Sequence, residues 1–178
     1  MNLHLGCGPR NFGKDWIHID GKHYPHVASN KVFPLPFEAN SADLIYASHL
    51  LQYFNKLDAA TVLANWKKVL KPCGILRLAV PDVEAMATLY IEKGLPLQMF
   101  LGPLYGQMSM NGEYIYHKIA YDYPRLKMVL EGLGYKNVKR YNWRETEHAE
   151  HDDHSQAYIP HMDKENGSLI SLNVEATK

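Results

Sequence analysis

The chain has 178 residues, enough for one domain with a substantial core. Lys plus Arg and Asp plus Glu number 19 each, so no overall field draws it to nucleic acid or to an anionic membrane. No apolar run reaches the ~20 residues of a membrane span, and two cysteines with no basic, cleavable leader read as free thiols in a reducing cytoplasm.

Taken in order, residues 2–6 and 16–20 read as short buried strands. The first runs into a Gly6-Cys7-Gly8 turn and the second ends on Asp20. Glycine lets backbone approach a ligand, because no Cβ intrudes and positive φ costs little. An acid at the tip of the next strand can accept from vicinal ribose hydroxyls. The link at residues 9–15 is too short for the helix that a parallel crossover normally uses. Residues 21–25 form a turn and 26–28 a third, edge strand, again without room for a helix. One sheet face is thereby left nearly bare, which predicts a homodimer or a folded-over segment to cover it.

Asp43 to Ser48 reads as the central strand, and His49 to Phe54 follow its carboxyl end, where open α/β sheets bind ligands. A helix is predicted over 56–71, capped by Asn55, with Leu57, Ala60, Leu63, Trp66 and Leu70 as its apolar stripe. Residues 75–80 are the next strand, ending at Pro81-Asp82, and 83–93 the next helix. Leu95 to Tyr116, rich in Met, aromatic and turn residues, suits a lid or a cover for the bare face, and we read it as the cover. A helix follows at about 124–133, then strands at Tyr135–Trp143 and Ser168–Ala176. Arg144 to Asn166 between them reads as a solvated polar loop, and the spacing of His148, His151 and His154 matches no closed zinc site.

Four of these segments carry a resemblance. Leu3-His4-Leu5-Gly6-Cys7-Gly8-Pro9 resembles motif I of class I S-adenosylmethionine-dependent methyltransferases, and Trp16 to Asp20 their second strand with its ribose-binding acid. Pro34 to Tyr46 resembles their "LPF-x-x-N-S-x-D-L-I" segment and Trp66 to Leu76 their "VLKPGG-x-L" segment. His117 to Asp122 and Ser171 to Ala176 resemble the tail pattern of a compact predicted-methyltransferase branch, similar to methyltransferase type 11. The resemblance implies a single domain over residues 1–178: an α/β, Rossmann-like fold with a mostly parallel sheet, an antiparallel C-terminal strand pair and reduced helices on one face. It implies S-adenosylmethionine as cofactor, with Leu5, Gly6, Cys7 and Gly8 at the methionine half and Asp20 at the ribose. Asn30 and Leu35 would border the adenine, and Ser48 the transferred methyl.

Methyl transfer from a sulfonium needs positioning above all, and an oxygen or nitrogen acceptor also needs a base. His117, His49 and Asp82 are the candidates at the strand ends, His117 first, with an anchoring task for His117 as the competing reading. The expected partner is a small-molecule or saccharide-type acceptor, not nucleic acid or a membrane. A domain that binds the nucleoside without turnover is the alternative. A nicotinamide oxidoreductase would need a third glycine opening a helix, which residues 9–15 lack.

Overall fold

The computed structural model describes all of residues 1–178. Its centre is a seven-stranded sheet built from β1 (Asn2–Leu5), β2 (Trp16–Ile19), β3 (Val27–Ser29), β4 (Ala42–Ser48), β5 (Leu70–Pro81), β8 (Lys136–Arg140) and β11 (Ser171–Thr177). Their order is β3-β2-β1-β4-β5-β11-β8. The first five run parallel, whereas β11 pairs antiparallel with both β5 and β8. The α/β, mostly parallel architecture with an antiparallel carboxyl-terminal pair is the one the motifs imply. Alternation decides the two faces: Leu3, Leu5, Ile19, Ile45 and Ala47 point to one side, His4, Trp16, His18, Leu44 and Tyr46 to the other.

The first side carries the main core under α1 (Lys56–Val69) and α4 (Tyr123–Gly132). Asn55 Oδ1 caps α1 by accepting from the Leu57 and Asp58 amides, both at 3.0 Å. The buried stripe is Ala59, Val62, Leu63, Trp66 and Val69, which shares Leu63 and Trp66 with the predicted one but not Leu57 or Ala60. Leu57 is therefore out in solvent, and the helix stops at Val69 because Leu70 already pairs with Ala42. The two helices are tied by Lys67 Nζ on the Leu133 carbonyl and by the Tyr135 hydroxyl on that of Leu63.

The second side is covered from within the chain, which corrects two expectations. Phe12, from the short link, lies flat on His4 with ring centroids 4.0 Å apart. The segment after Trp143 then folds over β1, β2 and β4: His148 lies tilted against Tyr46 with ring centroids 4.0 Å apart, and Asp153 accepts from the Tyr46 hydroxyl. Residues 144–157 are thus no solvated loop, since His148, Asp153, Ser155 and Gln156 are buried. The segment is tied to the sheet by Arg77 bonded to Glu147 at 2.6 Å and by Asn173 to the Ser155 carbonyl at 2.9 Å. Of the two covers expected for the bare face, a homodimer or a folded-over segment, this is the folded-over segment.

Leu95 to Tyr116, read as the cover, lies elsewhere. It forms α3 (Gln98–Tyr105), β6 (Met108–Met110) and β7 (Glu113–Ile115), after α2 (Val83–Lys93). Phe100 alone of α3 is buried, in a small cluster with Met86, Leu89, Ile159 and Ile170. Ile159 belongs to β9 (Tyr158–Ile159), which pairs with β10 (Ser168–Leu169).

Candidate active site

A cleft of about 970 Å³ opens at the carboxyl ends of β1, β2 and β4. Its floor is Gly6, Gly8, Asp20, Ser48 and His49, its roof α3 with Gly106 to Met108, and its far wall residues 152–162. Four of the eight positions expected at the cofactor, Gly6, Gly8, Asp20 and Ser48, therefore meet, although they come from three separate stretches of chain. Gly6 and Gly8 both have positive φ, +66° and +57°, as a turn that doubles back under a ligand requires. A Cβ on Gly6 would come within 3.2 Å of Leu50.

Asp20 is pinned rather than free. Its Oδ2 accepts from the Gly8 amide at 2.7 Å and its Oδ1 from the Lys22 amide at 2.7 Å. Each oxygen keeps a further lone pair toward the cleft, so the carboxylate is pre-oriented for two hydroxyls. The Ser48 hydroxyl, on the floor beside it, is buried without a partner in the chain. Leu5 and Cys7 lie beneath the floor as core, and burial, aided by the Asp20 charge, pushes the Cys7 thiol up to about 12. Asn30 is exposed and Leu35 is buried against α1, its amide bonded to Asn65; neither lines the cleft.

The three candidate bases fare differently. Asp82 caps α2 through Oδ1, which accepts from the Glu84 and Ala85 amides, and its Oδ2 pairs with Arg140 at 3.2 Å. It does not reach the cleft, because β5 delivers its end to the helix and not to the floor. His117 lines the cleft, yet both ring nitrogens are engaged. Nδ1 lies 3.2 Å from the Leu104 carbonyl, which can only accept, so Nδ1 carries the proton and Nε2 receives the Gln52 amide at 3.3 Å. With the Tyr53 hydroxyl on the Gly106 carbonyl at 2.6 Å, this fastens the roof to the floor. Gly106 makes room for it: a Cβ there would sit 1.9 Å from His117 Nε2, on a residue with φ +54°. Gly106→Ala is expected to displace His117 and to lower stability by at least ~1 kcal/mol, read from urea denaturation.

His49 is set up as an acceptor of protons. It adopts φ +49°, unusual for a residue with a Cβ, at the tip of β4. The Asn173 amide donates to the Ser155 carbonyl, which turns Asn173 Oδ1 toward Ser171. Ser171 donates its one proton to that oxygen at 3.0 Å. At 3.3 Å the serine can therefore only accept from His49 Nε2, which must carry the ring proton. The Nδ1 lone pair is left unbonded on a ring that lines the cleft. Burial holds His49 well below its usual range, and His154, stacked on it at 5.0 Å, adds to this. Burial thus favours the neutral imidazole, whose one unbonded lone pair is on Nδ1.

His154 and the neighbouring wall were missed in the sequence because the surrounding charges read as solvent-facing. The usable signal was Trp143 at one end and Ala157-Tyr158-Ile159-Pro160 at the other, apolar anchors for a segment that packs. No three His, Cys, Asp or Glu side chains converge to hold a metal ion. No helix is long and apolar enough to cross a membrane.

Comparison with known proteins agrees with the fold. The family model described as a methyltransferase domain matches residues 14–78. No curated protein matches the sequence. A SAM-dependent methyltransferase from Archaeoglobus fulgidus is similar in structure, with TM-score 0.57 and 14% identity, over 99% of this chain and 85% of that one. A possible histamine N-methyltransferase from Thermotoga maritima gives TM-score 0.58 and 13% identity over 99% and 81%. The 1,6-didemethyltoxoflavin-N1-methyltransferase of Burkholderia thailandensis, solved with its substrate and S-adenosylhomocysteine, gives 0.56 and 15% over 99% and 70%. The strand order and these likenesses show the fold that such methyltransferases share, and residues 14–78 match the methyltransferase-domain model.

Proposed function

We propose that the cleft binds S-adenosylmethionine and serves methyl transfer to a small molecule, saccharide-type acceptors included, whose proton His49 removes. The observation that carries the reading is Asp20, held by two backbone amides at the edge of a cleft floored by the glycine turn. The unpartnered Ser48 hydroxyl supplies a further polar contact on the floor. When bound, the cofactor supplies an activated methyl on a sulfonium. Asp20 would accept the ribose hydroxyls, while Gly6 and Gly8 allow close approach of the chain. The acceptor lies against His49 and His154, and as its oxygen or nitrogen gains the methyl, His49 Nδ1 takes the proton. The resulting imidazolium keeps its Nε2–H bond to Ser171, so no rearrangement accompanies the transfer. A volume of about 970 Å³ lies at the upper end of the roughly 300–1,000 Å³ of ligand pockets, as a site for a cofactor with a small acceptor beside it requires. The Burkholderia relative, which acts on a small heterocycle, supports an acceptor of that scale.

The test is thermal unfolding with S-adenosylhomocysteine at about 100 times its dissociation constant. Binding to the native state alone adds ~2.7 kcal/mol, or about 5–10 °C for a chain of this size. Asp20→Ala is expected to abolish the shift. No shift in the wild-type protein would sink the reading, and a shift without methyl release over a broad acceptor panel would favour a domain that binds without turnover.

A further inference from the structure

We infer that Arg10 is the receptor for the carboxylate at the amino-acid end of the methyl donor, which rests on the donor reading proposed above. Between β1 and β2 the chain has no helix, so no helix amino terminus faces the cleft to receive a negative group. Arg10 stands in that gap. Its Nε donates to the Asp152 carbonyl at 2.8 Å, which moors the guanidinium between the glycine turn and the far wall. Both terminal nitrogens are without a hydrogen bond, and no carboxylate lies within 4.0 Å of them.

The acids nearby are already engaged. Asp20 is held by backbone amides, Asp153 by the Tyr46 hydroxyl and the Ser155 amide, and Asp152 by Lys164 at 2.9 Å. A moored fork with two free donor edges and no counter-ion fits a planar anion, and a carboxylate matches it in two parallel bonds. Its place narrows the source. The fork overhangs Gly8, where an added Cβ would sit 3.8 Å from Nη1. Through the Asp152 carbonyl it is tied to the wall segment that carries His154, which stacks on His49 at 5.0 Å. It thus lies on the His49 side of the glycine turn, while Asp20 holds the nucleoside side. A donor lying across Gly6 and Gly8 brings its amino-acid end to Arg10.

Affinities for three probes separate the outcomes: S-adenosylhomocysteine, its decarboxylated analogue, and methylthioadenosine, which lacks the amino-acid end. Wild type is expected to bind the decarboxylated analogue about ten- to hundredfold more weakly than S-adenosylhomocysteine. Arg10→Gln should reduce that ratio to within about threefold, leaving methylthioadenosine affinity unchanged. Arg10→Lys, which keeps the charge and loses the fork, should fall between, and carries the test if Arg10→Gln does not fold. An undiminished ratio in both variants, or no discrimination in wild type, overturns the assignment. Failure of all three probes to bind wild type overturns the donor reading itself.

Discussion

Replacing His148 with phenylalanine is expected to stabilise the protein, and to do so more strongly as the pH falls. The ring is fully buried between Tyr46 and Phe12, and neither nitrogen has a hydrogen-bond partner in the chain. A buried, unpaired polar group costs roughly 1–3 kcal/mol, and a phenyl ring keeps the stack while removing it. Burial also pushes His148 down to about 4 and His4, on the same face, down to about 2. Both values lie below the ~6.5 of the unfolded chain, so below that pH the unfolded state binds the extra protons. The stability is intact above ~6.5 and falls as the pH drops toward the folded-state values. At pH 5 each histidine costs about 2 kcal/mol, a large part of a typical domain's 5–15 kcal/mol. The variant's advantage should therefore grow by about 2 kcal/mol between pH 7 and pH 5. Urea midpoints at the two pH values decide it, and an equal advantage at both would refute the account.

The second large effect concerns turnover. His49→Asn tolerates the left-handed backbone and removes the imidazole, so methyl transfer should fall about 10²–10⁴-fold. Binding of S-adenosylhomocysteine should stay within about threefold, since the base acts on the acceptor. Ser171→Ala leaves the ring in place but frees its tautomer, with an expected loss of about tenfold. Release of S-adenosylhomocysteine over a panel of hydroxyl and amine acceptors gives the rates. Nitrogen-15 spectra of the histidine rings give the tautomer without any acceptor. A protonated Nδ1 on His49 in wild type, or full activity in His49→Asn, would remove His49 from the chemistry.

The sheet was legible in the sequence because its signals are local and agree with one another. Alternating apolar residues, two glycines and a terminal acid mark β1, β2 and the turn, and they make the cleft floor wherever the rest of the chain goes. Helix α1 is legible too, with Leu63 and Trp66 on its buried face, but Leu57 looks apolar, and only tertiary packing shows that Ala59 and Val62 face the core instead. Asn30 and Leu35 were carried over from a family whose adenine contacts depend on loop shape, and here the loop turns them away. The wall at residues 152–162 was opaque for a deeper reason. Polarity normally signals solvent, but Asp153 and Gln156 are buried, with partners 107 residues away or across the same segment. Composition cannot report such pairing, since it exists only after the fold has formed.

That long-range covering has a consequence for synthesis on the ribosome. Phe12, Trp16 and Tyr46 leave the exit tunnel early, but His148 and Asp153, which close over them, follow about 100 residues later. At ~5–20 residues per second, an aromatic face waits some ~5–20 s for its own carboxyl-terminal third. During that interval the nascent sheet is sticky, and it is the stage at which a chaperone would be needed and at which truncated chains should aggregate.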